Sequence, residues 1–291
     1  MSASLIFELN ALLEAAEQKL SDLEQHANEA VFEDLSRTLL HLSNKHIPAE
    51  LCSEIKLFER IDEVNNLMEE IEMAKMPNLN VNYETLLACA KAAILRWSGP
   101  EGTRATALQQ GCTIDKEFTR QWLTYWGLSR AVPTRYDNVV VDFLRDNARP
   151  KIINEKEDTL AELVQTLVLD LEDASRIVVL KPKQNALGKQ TSLMSKFAFS
   201  LRPEALIPYD KWARDGIKSA IGARVNDHDY VDYMEKFNTH ILVAAETALD
   251  KHNISEKLIA DWQPIMTKKL FVRRTADKLF MVLGGFDPKN L

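Results

Sequence analysis

The sequence predicts an all-α fold: a multi-helical body over residues 81–291 behind an N-terminal acidic helical hairpin over residues 1–80. Three observations predict it. Apolar residues recur in steps of three and four along most of the chain, which gathers them on one side of a helix. The first 98 residues hold no glycine, so long helices meet little resistance there. Strand-like runs are confined to Val139–Val141 and Ile177–Leu180, both too short and isolated to specify a sheet.

The first helix is expected over 4–30, with a seam of Ile6, Leu9, Leu13, Ala16, Leu20, Leu23, Ala27 and Ala30. Glutamate and glutamine fill most of its other face. After a break at Asn44–Pro48, a second stripe runs through Leu51, Ile55, Phe58, Ile61, Val64, Met68 and Ile71. Pro48 suits the first turn of that helix, where its missing N–H is not needed.

The body begins with a helix over 82–97, followed by a loop at 98–104. An aromatic-rich helix over 114–131 carries Phe118, Trp122, Tyr125 and Trp126, and Pro133 stops it. Helices over 135–147 and 157–173 follow, then a connector at Ile177–Leu180 and a polar loop at 181–189. Further helices are expected over 190–201, 209–221 and about 228–251, with a proline-bracketed turn at 202–208. Ser255 is placed to cap a helix starting at Glu256. A final amphipathic helix over 266–283 ends at Gly284–Gly285.

Composition narrows the functional classes. A chain of 291 residues, 46% hydrophobic and 27% charged, is long enough for one large or two modest globular domains. Cys52, Cys89 and Cys112 are scattered, odd in number and form no CxxC pair, so neither a disulfide framework nor a zinc site is expected. That usage fits a reducing, cytoplasmic location. The N-terminal stretch lacks a basic leader and is interrupted by Glu8, Glu14 and Glu17, unlike a secretion signal. No stretch of eighteen apolar residues is present to cross a membrane.

Familiar catalytic signatures are missing. The six histidines include no HExxH and sit beside no cysteine at ligand spacing, so no metal is expected. There is no GxxxxGK[ST], GxGxxG or GxSxG, and no cofactor is called for.

The net charge of −7 hides an asymmetry. Residues 1–80 carry sixteen acidic against six basic side chains, whereas 176–225 carry ten basic against three acidic. Residues 264–291 add six basic against two acidic. Such a split marks either a polyanion-binding face or two regions that attract each other.

The segment 186–215 is the richest in signals. Gly188 opens a helix whose core side is Leu193, Met194, Phe197 and Leu201. Lys189, Lys196 and Arg202 lie near its ends and side. The turn then delivers Pro208, Tyr209 and Asp210 to the start of the next helix, where the dipole favours a carboxylate. Lys211 and Arg214 follow.

This order resembles the core of the helix-hairpin-helix DNA glycosylase superfamily, over about thirty residues. Gly188 matches the hairpin, Pro208-Tyr209-Asp210 the Pro-x-Asp step, and Lys211–Ile217 the helix behind it. The resemblance implies that backbone N–H groups near Gly188 contact phosphate and that Asp210 is catalytic. The chain departs from the pattern at Ala186, where a second glycine is usual, and only Lys189 stands near the place of a hairpin lysine. Ser195-Lys196-Phe197, Pro203, Pro208-Tyr209-Asp210 and Arg274-x-x-Asp277-Lys278 also look like a group of bacterial and phage proteins of uncharacterised function.

The leading expectation is a nucleic-acid-associated protein without sequence specificity. In it Lys189, Lys196, Arg202, Lys211 and Arg214 neutralise phosphates and Gly188 adds a neutral contact. One alternative is a protein–protein or self-association module using Ile6, Leu9, Leu13, Leu20 and Leu23. Another is a base-excision enzyme in which Asp210 stabilises a cationic sugar. Weaker signals are a stacking platform of Trp122, Tyr125 and Trp126 with Arg120 and Arg130, and a phosphate contact from the basic run 268–274.

Overall fold

The computed structural model describes residues 82–176 and 186–291. The chain divides into two units, Met1–Met76 and Pro77–Leu291, and the described residues belong to the second. The acidic hairpin with its seam at Ile6, Leu9, Leu13, Leu20 and Leu23, and the Ile177–Leu180 connector, lie outside the described residues.

The described residues are all-α, with no strand among them. In order, α1 is Tyr83–Ser98, α2 Pro100–Gln109 and α3 Lys116–Tyr125. Next come α4 Asp137–Asp142, α5 Arg149–Asn154 and α6 Leu160–Ser175. They are followed by α7 Thr191–Leu201, α8 Lys211–Ile221, α9 Tyr230–Lys236 and α10 Val243–Lys251. Two short helices, α11 Ile254–Lys257 and α12 Ile259–Trp262, lead into α13 Lys268–Leu283. Wider π turns at Phe143–Ala148 and Phe237–Leu242 join α4 to α5 and α9 to α10.

Local chemistry sets the boundaries. Asn82, Asp115, Asp210, Asp229 and Thr267 each accept a backbone N–H at the start of a helix. The loop expected at 98–104 is instead the start of α2. Pro100 takes the first helical position, where it sacrifices no hydrogen bond. Gly102 then lets α2 close on α1, because a Cβ there would meet the Trp97 carbonyl oxygen at 2.1 Å. Ser255 does not cap the helix that follows. That helix starts at Ile254, two residues earlier than expected, after Asn253 in the left-handed conformation (φ 53°).

Two helices form the centre. Along α7, residues Leu193–Leu201 are all buried, and along α13 so are Leu270–Phe280. A helix buried on every side lies within a body rather than on it. α2, α5 and α6 pack on α7, while α1, α8 and α10 pack on α13. The α8–α13 contact is close at Gly216, where a Cβ would meet the Phe280 carbonyl oxygen at 2.1 Å. No described helix is long and apolar enough to cross a membrane.

Candidate active site

Both central helices carry polar side chains into the interior: Ser195, Lys196 and Ser200 on α7, and Arg273, Arg274, Thr275, Asp277 and Lys278 on α13. Desolvating such groups is costly unless partners are present. Where the partners are, and where they are lacking, defines the site.

The turn between α7 and α8 is clamped from three sides. Ser195 Oγ accepts the Tyr209 N–H at 2.9 Å. Tyr230 and Tyr233 hydroxyls donate to the Ile207 and Pro208 carbonyls at 2.7 and 2.9 Å. Tyr209 Oη accepts the His228 N–H at 2.9 Å, and its ring lies 5.1 Å from that of Tyr233. These bonds fix the backbone that presents Asp210. Its side chain accepts the Ala213 N–H at 2.9 Å and caps α8.

Asp210 lines a cavity of about 170 Å³ together with Lys196, Asp277 and Lys278. Glu101 and Arg96 come from α2 and α1, and Tyr125 and Trp126 from the end of α3. Lys196 is buried, and its ammonium has one long contact, 3.4 Å to the Trp126 carbonyl, with the Trp126 ring centroid 5.7 Å away. Burial lowers the Lys196 pKa below the lysine range, against the pull of the Asp210 and Asp277 charges. Burial raises the Asp210 pKa, and Asp277 adds to that; the Ala213 N–H and Lys196 oppose it. An acid weakened by its surroundings thus faces a base whose protonation is disfavoured.

Beneath lies an ion-pair network. Arg274 is fully buried, and its Nη2 lies 2.6 and 2.8 Å from the two Glu101 carboxylate oxygens. Its Nη1 donates to Asp277 Oδ2 at 2.6 Å, and its guanidinium sits 4.7 Å from the Phe199 ring centroid. Asp277 Oδ2 is also 3.4 Å from Lys278 Nζ. The network anchors α13 to α2 and sets the position of Asp277.

The other expected site residues are placed differently. Gly188 and Lys189 are exposed ahead of α7, and Lys211 is exposed on the first turn of α8. Arg202 donates to the Ile152, Ile153 and Glu155 carbonyls, at 2.9 Å for the last, and so closes the end of α5. Arg214 pairs with Asp227 and stacks 5.0 Å from the Tyr209 ring centroid. Arg176 and Arg224 also pair with carboxylates. In the basic run 268–274, Arg273 and Arg274 are buried, and Lys269 pairs with Glu157. Of the aromatic trio, Trp122 is in the core, whereas Tyr125 and Trp126 reach the cavity. Arg120 pairs with Asp137 and donates to the Val132 carbonyl. Arg130 is exposed.

The structure therefore brings together Lys196, Asp210, Asp277 and Lys278, from three separate stretches of chain. Glu101 escaped the sequence reading because its segment looked like a loop. Pro100 followed by an acid was the available sign of a helix start. No group of three or more metal-ligating side chains occurs among the described residues, and Cys89 and Cys112 are free thiols. No family model, curated protein or solved structure matches this chain.

Proposed function

We propose that the protein acts on nucleic acid by holding one base-sized ring in the cavity and breaking its bond to the sugar. The observation carrying this reading is the Lys196–Asp210 pair, gathered in one cavity beside two aromatic side chains. Pairs of titratable groups driven in opposite directions by their surroundings mark acid and base roles. The cavity falls below the roughly 300 Å³ of the smallest sites for drug-sized ligands, which suits a single ring system rather than a whole nucleotide. The element order also supports it: an exposed glycine loop, a helix, a proline turn and an aspartate capping the next helix.

In this mechanism the base leaves with the electron pair of its bond to C1′. Lys196, whose ammonium is made more acidic by burial, gives a proton to the departing base. The Asp210 carboxylate opposes the positive charge on the sugar and takes a proton from the water that adds there. Hydrolysis is then balanced, and a proton passed from Asp210 back to Lys196 restores both groups. Exposed Lys189 and Lys211 and the N–H groups near Gly188 contact phosphates of the same strand.

The test is abasic-site formation on oligonucleotides carrying deaminated, oxidised or alkylated bases. Wild-type protein should release at least one of them, and Lys196→Met should not. Absence of release from all of them, with the protein folded, rejects the proposal.

A second reading, nucleic-acid contact without catalysis, draws on the exposure of Gly188, Lys189 and Lys211 alone. Salt-dependent binding with no base release would favour it.

A further inference from the structure

Asp277 is 1% exposed, and only one of its oxygens is served. Oδ2 accepts from Arg274, whereas Oδ1 has no hydrogen-bond partner. The donors around the same cavity are also underused. Trp126 Nε1 has no acceptor. Lys196 Nζ has the 3.4 Å contact to the Trp126 carbonyl, and Lys278 Nζ has only long contacts, 3.4 Å to Asp277 Oδ2 and 3.7 Å to the Met281 sulfur. Folded proteins rarely leave buried polar atoms in this state, because each forfeits its hydration without return. An occupant that completes these bonds accounts for all of them at once.

The charges say what kind of occupant. Arg96, Lys196 and Lys278 line the cavity against Glu101, Asp210 and Asp277, so the lining is balanced. A phosphate or carboxylate would meet three carboxylates at close range. A neutral molecule avoids that repulsion. It must offer one N–H to Asp277 Oδ1 and acceptors to the two ammonium groups and the indole N–H. Tyr125 and Trp126 favour a flat ring.

The geometry points to a neutral heterocycle with an N–H beside a carbonyl, selected by Asp277 as the acceptor for that N–H. This rests on the base-holding reading above and adds the substrate class to it. Asp277 takes no part in bond breaking; it is a specificity-determining residue. A site built around such a bond discriminates strongly against an analogue lacking the hydrogen, because its own oxygen is then stranded.

The experiment measures binding of 1-methyluracil and 9-methylhypoxanthine, bases whose methyl group stands where the sugar would be, to the full-length protein by calorimetry or ligand-observed NMR. Matched probes are 1,3-dimethyluracil and 1,9-dimethylhypoxanthine, in which a second methyl group replaces the remaining N–H. At least one parent base should bind ten or more times tighter than its dimethylated partner. In Asp277→Asn, Arg274 retains the side-chain oxygen and the amide NH₂ replaces Oδ1, so the ratio should collapse towards one. Should that variant fail to fold, the wild-type ratio decides by itself. Equal affinity for parent and dimethylated base, no binding of either parent base at millimolar concentration, or an unchanged ratio in folded Asp277→Asn overturns the inference. Base release that needs Lys196 and Asp210 without this selectivity would leave the proposed function standing and remove Asp277 from it. Selective binding without base release would do the reverse.

Discussion

Arg274→Met removes the cation that two buried carboxylates share. Arg274 is 0% exposed, with Glu101 and Asp277 at 3% and 1%, so water cannot replace the lost guanidinium. Breaking a buried ion pair from one side costs about 3–5 kcal/mol, against about 0–1 kcal/mol for an exposed pair. Asp277 keeps Lys278 at 3.4 Å, so most of the loss falls on Glu101, and about 4 kcal/mol is expected in all. With a urea m-value of about 2 kcal/mol/M, the unfolding midpoint should fall by about 2 M. Because an uncompensated charge is the cause, a triple variant that also carries Glu101→Gln and Asp277→Asn should recover much of the loss. A single-variant loss under about 1 kcal/mol, or a triple variant no better than the single, would refute the view that the network is dry and coupled.

Four further outcomes follow from the same structure. Lys196→Met should leave stability unchanged or raise it, since burial outweighs the pull of Asp210 and Asp277 on an ammonium whose hydrogen-bond contact to the Trp126 carbonyl is long, and an apolar chain of similar length replaces it; a loss above about 1 kcal/mol in urea would make Lys196 a structural tether. The raised Asp210 pKa means that the folded state holds that proton more tightly than the unfolded chain, so the Asp210 contribution to stability falls as pH climbs from 3.8 through the raised value. Asp210→Asn keeps the cap and removes this dependence, so wild type should lose stability relative to the variant as pH rises above about 4, whereas Asp210→Ala should cost about 1 kcal/mol through the lost cap. Gly216→Ala forces a Cβ onto the Phe280 carbonyl oxygen and should destabilise by about 1–3 kcal/mol in the same assay; a neutral result would show that α8 and α13 separate freely. Finally, Lys189 and Lys211 are the exposed members of the expected phosphate-binding set, so duplex binding should show a log–log salt slope near −2 rather than the roughly −4 of five contacts.

Helix positions were largely legible in the sequence because apolar spacing and capping residues are local signals. Asn82, Asp115, Asp210 and Thr267 mark their helix starts within a residue or two of expectation. The loop reading of 98–104 failed because Gly99 and Gly102 look like breakers, while Gly102 in fact serves helix–helix contact. Burial was harder to read. Lys196, Arg274, Asp277 and Lys278 occupy positions that a charge pattern assigns to solvent, and Glu101 and the Trp126 carbonyl reach Arg274 and Lys196 from distant parts of the chain. For the same reason a basic stretch of sequence does not translate into a basic surface. Arg202 serves carbonyls and Arg214 serves Asp227, contacts set by tertiary packing. Asp210 at a helix start was visible, but its cavity is assembled from five helices and was not.

The most direct trial of the central claim is base release by Asp210→Asn relative to wild type. The variant keeps the helix cap and the fold, so any change reports on the carboxyl group itself. A general base of this kind contributes about 10²–10⁴ in rate, and a loss of at least a hundredfold is predicted. A folded variant that releases base as fast as wild type would contradict the account.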